Sequence, residues 1–141
     1  MQRRGKMLLM RLNRLENVVV AVGCVALIAG CAPLAPVRNV ESRPISTSKP
    51  SVTLDEIGNA IVRAGATLNL QMQKVGPGVI TATYSPRGVS ATMEVRYDTQ
   101  RYSITYKDSR GLNYDGSQIH RIYNGWVQNF DDRIREQLNM L

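Results

Sequence analysis

Three observations predict an α+β fold. Runs with apolar and polar residues in alternation fill the middle of the chain, stripes of helical period flank them, and short Gly, Pro and Asp turns separate the alternating runs. The predicted order is α-β-β-β-β-α: an antiparallel four-stranded meander sheet with an N-terminal and a C-terminal helix packed on one face. A chain of 141 residues with 43% hydrophobic and 21% charged residues has room for one modest domain and the composition to fold it.

The first helix is expected over about 54–66. Thr53-Leu54-Asp55-Glu56 has the spacing of a capping box, and Leu54, Ile57, Ile61, Ala64 and Leu68 follow at helical intervals. Gly65 is expected to end this helix or to weaken its last turn. Leu68, Leu70 and Met72 then alternate with polar residues and predict a strand at 68–75. Gly76-Pro77-Gly78 turns the chain into a second strand through Ile80, Ala82 and Tyr84, and Ser85-Pro86-Arg87-Gly88 turns it into a third. In the third strand Val89, Ala91, Met93, Val95 and Tyr97 share a face. After Asp98-Thr99-Gln100, the fourth runs through Tyr102-Ser103-Ile104-Thr105-Tyr106.

Ser117 or Asp115 is placed to cap the last helix. Its apolar stripe is Ile119, Ile122, Tyr123, Trp126, Phe130, Ile134 and Leu138. Trp126 and Phe130 are expected in the core, with Trp126→Ala costing roughly 3–5 kcal/mol. Gly125 is read as a place for close approach of helix to sheet. Asp131 and Asp132 point about 100° apart on a helix. With Arg133 and Arg135 nearby they read as a solvated, salt-bridged face.

The amino-terminal third reads as an address and a spacer. Arg3, Arg4, Lys6, Arg11 and Arg14 precede the 11 uncharged residues Val18 to Ile28. A spanning helix needs about 20 apolar residues, whereas a run this short suits the apolar region of a secretory signal. Residues 1–30 are therefore expected to be a cleaved signal peptide. The formal charge of +7 then describes mostly the leader, because 13 basic and 10 acidic residues from Cys31 onward leave +3. Residues 31–52 contain four prolines and no sustained apolar period, the composition of a flexible Pro/Ser-rich tether. Such a tether would span roughly 25 Å. The domain is expected over 53–141.

Ile28-Ala29-Gly30-Cys31 resembles the bacterial lipobox, in which small residues precede a cysteine that receives a diacylglyceryl thioether and becomes the new amino terminus. The rival match Ala21-Val22-Gly23-Cys24 lies inside the apolar run, too deep for a cleavage site. The only other cysteine would leave with the leader, so Cys31 is read as a lipid attachment point and not as half of a disulfide. "YSITYKDSRGLNYDG", "IHRIYNGWVQNF" and the Gly76-Pro77-Gly78 turn resemble a recurring group of small, uncharacterised lipoproteins of Gram-negative bacteria. That resemblance implies a lipoprotein and carries no activity with it. Ala32 after the cysteine implies, by analogy with such lipoproteins, an outer-membrane destination facing the periplasm.

Catalytic patterns are sparse. His120 is the single histidine, and the nearest carboxylate in sequence is Asp115, five residues away. No Gly-x-Ser-x-Gly elbow and no Ser-x-x-Lys pair is expected. No cofactor is expected beyond the covalent lipid on Cys31, and no metal. Tyr97, Tyr102, Tyr106 and Tyr114 interleave with Arg96, Arg101, Lys107 and Arg110, but in an exported chain they read as sheet tyrosines beside surface cations, with no nucleic acid implied. The stretch 107–116 is expected to be a loop before the last helix. Its Arg110, Asn113, Tyr114 and Asp115 are the candidate interaction residues, since function concentrates on such connections. The expectation is a non-enzymatic, lipid-anchored module that binds an envelope protein partner. The alternative is a basic groove near Arg96, Arg101 and Arg110 for an anionic glycan, peptidoglycan fragment or lipid headgroup.

Overall fold

The capping box and the turns produce the elements they predict, the run expected as a strand over 68–75 becomes one only from Gln71 because Leu68 caps the first helix, and a second set of strands joins them from an unexpected place. The structure is a computed structural model that describes residues 33–141. The cysteine, the lipobox and the leader lie outside the described residues. In chain order the elements are β1 (Leu34–Pro36), β2 (Val40–Pro44), α1 (Leu54–Thr67), β3 (Gln71–Gly76), β4 (Val79–Tyr84), β5 (Ser90–Tyr97), β6 (Arg101–Arg110), β7 (Gln118–His120) and α2 (Ile122–Asn139). The fold is α+β. Its main sheet is five-stranded and antiparallel, ordered β2-β6-β5-β4-β3, and β1 pairs with β7 in a separate two-stranded sheet.

The four-stranded meander is thus corrected to five strands, the extra one being β2. Its residues, like those of β1, fall within the stretch expected to be a free tether. Over residues 34–44 that expectation does not hold. β1 is antiparallel to β7, with Leu34 opposite His120, and Val40 of β2 is buried opposite Ile104 of β6. Proline lacks a backbone donor and is confined to strand edges and ends, where no donor is required. Pro36 and Pro44 occupy the last positions of β1 and β2. The side chain of Asn124 clips the intervening loop to α2, accepting from the Arg38 N–H at 2.9 Å and donating to the Pro36 carbonyl at 2.9 Å.

α1 begins as expected. The Thr53 hydroxyl accepts from the Glu56 N–H at 3.2 Å, and the Glu56 carboxylate accepts from the Thr53 N–H at 2.9 Å. The helix passes through Gly65 to Thr67, because Gly65 is buried where Met72 of β3 packs onto the helix. A Cβ there would strike the Met72 thioether. Gly78, at φ +70°, is the turn residue only glycine serves well, and its carbonyl accepts from the Tyr97 N–H at 2.9 Å. β6 runs four residues further than predicted, pairing Ser109 and Arg110 with Ala91 and Ser90.

α2 starts at Ile122, not at 115 or 117. Gln118–His120 becomes β7 instead, so Ile119 is buried from a strand. The stripe of α2 is also rotated from the predicted one. Tyr123, Val127, Phe130, Asp131, Ile134 and Leu138 face inward, whereas Ile122 is exposed and Trp126 half-buried. Trp126 sits edge-on to Tyr84, with ring centroids 4.9 Å apart. Gly125 is exposed and meets nothing, so it marks no approach to the sheet. Residues of both helices join Ile80, Ala82, Met93, Val95, Tyr102 and Ile104 in one core. No helix among the described residues is long and apolar enough to cross a membrane.

Candidate interaction site

The loop from Gly111 to Ser117 is built from three local devices. Gly111, Asn113 and Gly116 adopt positive φ of 74°, 51° and 105°, which folds the segment tightly. The Asp115 carboxylate accepts from the N–H groups of Ser117 at 2.9 Å and Gln118 at 2.7 Å, an Asx turn leading into β7. These backbone donors, Gln118 first, hold the Asp115 carboxyl below its ordinary value. Leu112 is buried and its carbonyl receives the His120 N–H at 2.8 Å, pinning the loop to the core.

Tyr114 is the side chain this scaffold displays. It is 41% exposed, its hydroxyl donates to the Gly116 carbonyl at 3.0 Å, and its ring lies against Tyr106 with centroids 4.2 Å apart. Tyr106 in turn meets Tyr123 edge-on at 5.7 Å. The result is a ladder of three aromatic rings from the surface through a half-buried layer to the core. The Tyr123 hydroxyl at its foot is buried without a partner, and burial pushes its pKa up from 10.0. A rigid, exposed ring on a fixed loop is suited to stacking or apolar contact, with little side-chain entropy left to lose.

Of the four sequence-predicted residues, Asn113, Tyr114 and Asp115 share this loop, and Asn113 and Asp115 serve its backbone. Arg110 is not a loop residue but the end of β6, opposite Ser90. Arg110 is not brought to the other two arginines of the expected basic groove. Arg96 pairs with Glu94 at 2.7 Å, and Arg101 donates to the Ser42 carbonyl at 2.8 Å. Arg101 and Arg110 stand at opposite ends of β6, which at the usual rise of a strand separates them by about 30 Å. His120 is half-buried in β7, not on the helix, and its Nδ1 accepts from the Ile122 N–H at 3.2 Å.

A polar cluster escaped the sequence reading. Asp131, expected on a solvated face, is fully buried. Its Oδ1 accepts from the Tyr102 hydroxyl at 2.6 Å, and the Arg43 Nε lies 2.9 Å from the same oxygen, off the hydrogen-bond direction. Oδ2 has no hydrogen-bond partner among the described residues, and the Arg135 Nε is 4.0 Å away. Burial first, and the carboxylate second, push the Tyr102 pKa far above 10.0. One signal was legible: Asp131 stands four residues after Val127 and three before Ile134, on the inward face of α2. Asp132, its neighbour, turns outward to Arg135 and Gln128.

Small hollows lie on the surface of the described residues. One of about 70 Å³ is lined by Leu68, Leu70, Tyr84, Trp126 and Asn129, and one of about 200 Å³ by Pro44, Ser46, Arg135, Leu138 and Asn139. Both are below the roughly 300 Å³ at which small-molecule clefts begin. Ser46-Thr47-Ser48-Lys49 does have the spacing of a Ser-x-x-Lys nucleophile pair, which corrects the expectation that this pair is absent. Here the Lys49 Nζ is held by Glu56 at 2.7 Å. Comparison with protein-family models, with curated proteins and with solved structures gives no match for this chain.

Proposed function

We propose that this chain is a lipid-anchored envelope lipoprotein whose α+β domain is a protein-interaction module. The observation that carries the reading is the run Ile28-Ala29-Gly30-Cys31, which closes a short apolar segment two residues before the described domain begins at Pro33. Two acyl chains on the thioether suffice for stable anchoring, at about 0.8 kcal/mol per buried methylene. The module supports contact with a protein in two ways. Tyr114 offers a fixed aromatic ring. Among the described residues β3 has one strand neighbour, β4, which leaves a backbone edge suited to strand addition. The outer membrane, periplasm-facing, is the address proposed for it.

The test is intact-mass spectrometry of the protein purified from its native membrane. The expected product begins at residue 31 and carries the added mass of a diacylglyceryl group. A product that retains the leader and bears no lipid overturns the reading. Photo-crosslinking from Tyr114 in cells then tests the module: a discrete adduct with one protein supports it, and the absence of any adduct counts against this loop as the contact.

A further inference from the structure

We infer that the end of the domain formed by β1, β7 and the start of α2 is a bilayer-contacting surface, on which the domain lies against anionic lipid beside its own anchor. The inference rests on lipidation of Cys31 and adds what that reading does not contain, the orientation of the domain. Three observations carry it.

The first is reach. Leu34 is three residues from Cys31, and an extended chain spans at most about 3.6 Å per residue. Leu34 is therefore within roughly 11 Å of the acylated residue. The polar interface on each side of a bilayer is itself about 5–8 Å deep. With residues 34–44 held in strands, no long spacer remains to lift the domain away.

The second is where exposed apolar side chains occur. Among the described residues five large ones are exposed, and two of them, Leu34 at 42% and Ile122 at 46%, lie at this end. Leu34 is opposite His120 in the β1–β7 register, the Arg121 N–H continues the ladder to the Pro33 carbonyl at 3.0 Å, and Ile122 follows directly. Pairing thus gathers two residues that are 88 positions apart in the sequence. The departure of Ile122 from the core stripe of α2 also acquires a reason here.

The third is charge. Arg38 and Arg121 are exposed at this end, neither 33–40 nor 118–125 contains an acidic residue, and the neighbouring Asp115 carboxylate is engaged by the N–H groups of Ser117 and Gln118. Apolar side chains beside arginines suit the boundary between acyl chains and anionic headgroups, each cation near such a surface favouring contact about fivefold.

The experiment uses the full-length, natively lipidated protein in vesicles of phosphatidylethanolamine and phosphatidylglycerol. With Cys31 acylated, Leu34→Cys or Ile122→Cys introduces one free thiol for an environment-sensitive fluorophore, and Arg38→Cys supplies a third position should either disturb folding. Val75→Cys is the reference, exposed on β3 near the turn that meets the opposite end of β5. Labels at 34 and 122 are expected to shift to the blue and to be quenched from within the lipid, while the label at 75 stays aqueous. Arg121→Glu is expected to reduce the docked fraction of the label at 34, and replacing phosphatidylglycerol by phosphatidylcholine to do the same. Aqueous emission at 122, whatever the label at 34 reports so close to the anchor, with lipid on Cys31 confirmed by mass, overturns the docked orientation and leaves the anchor standing. An unlipidated Cys31 overturns both.

Discussion

The two edges of the main sheet are made in opposite ways. β3 reaches its neighbour β4 through the turn Pro77-Gly78, and the whole hairpin lies within fourteen residues, Gln71 to Tyr84. β2 reaches β6 from about sixty positions away, as in the Ser42 N–H that donates to the Ser103 hydroxyl across 61 residues. The β3 edge is specified by local chemistry and has no second strand beside it among the described residues. The β2 edge is specified by distant partners, and behind it lies the buried Asp131 with Tyr102 and Arg43. The difference teaches that a strand can have a linker's composition when its partners, not its own side chains, supply the reasons to order.

The largest expected break in this comparison is truncation. A chain beginning at Ser51 lacks β1 and β2, uncovers Ile104 and leaves Asp131 without Arg43. It is expected to lose its cooperative thermal transition, whereas a true tether could be removed without change. Calorimetry distinguishes the two. Next is Asp131→Ala, which strands the Tyr102 hydroxyl and Arg43. It is expected to cost about 2–4 kcal/mol, discounted because Arg43 remains partly in water, measured by urea denaturation.

At the other edge, Gly78→Ala forces a side chain into positive φ with its Cβ against the Tyr97 carbonyl. About 1–3 kcal/mol is expected, seen as a lower midpoint with unchanged slope. Trp126→Ala falls to roughly 1–2 kcal/mol in place of the 3–5 expected of a core tryptophan, since the ring is half-buried at the rim. A loss of all cooperativity in that variant would return Trp126 to the core. Smallest is Val75→Thr on the open edge, expected within about 0.5 kcal/mol of wild type.

The capping box adds a pH signature. Hydrogen bonds from Lys49, then from the Thr53 backbone and hydroxyl, lower the Glu56 pKa from 4.5 to about 2. The stabilisation is present above the ordinary carboxylate value and is lost as pH falls through about 2. Asp98 and Asp115 are lowered as well, so they act in the same direction. Melting temperature is expected to fall on acidification below about pH 4.5, with a shallower fall in Glu56→Gln.

Much of the candidate site was visible as residues but not as an arrangement. Tyr114 and Asp115 were identifiable from the turn-rich stretch that holds them, because Asx turns and positive-φ positions are local. The ladder from Tyr114 through Tyr106 to Tyr123 was not, since it depends on how α2 lies against β6. Arg110 looked like part of one cluster with Arg96 and Arg101 only because the sequence omits the length of β6 that separates it from them.

Sequence alone determined the start of α1, the turns at Pro77-Gly78 and Arg87-Gly88, and the inward faces of β4, β5 and β6. Each of these is decided by a side chain acting on backbone within a few residues, or by a period matched to one solvated face. Tertiary structure decided that residues 34–44 are strands, that α2 begins after β7, and that Asp131 faces in while Asp132 faces out. Backbone hydrogen bonds at an edge require almost nothing of the side chains that flank them. A broad apolar stripe likewise lets a helix turn by one residue until its neighbours settle which face they bury.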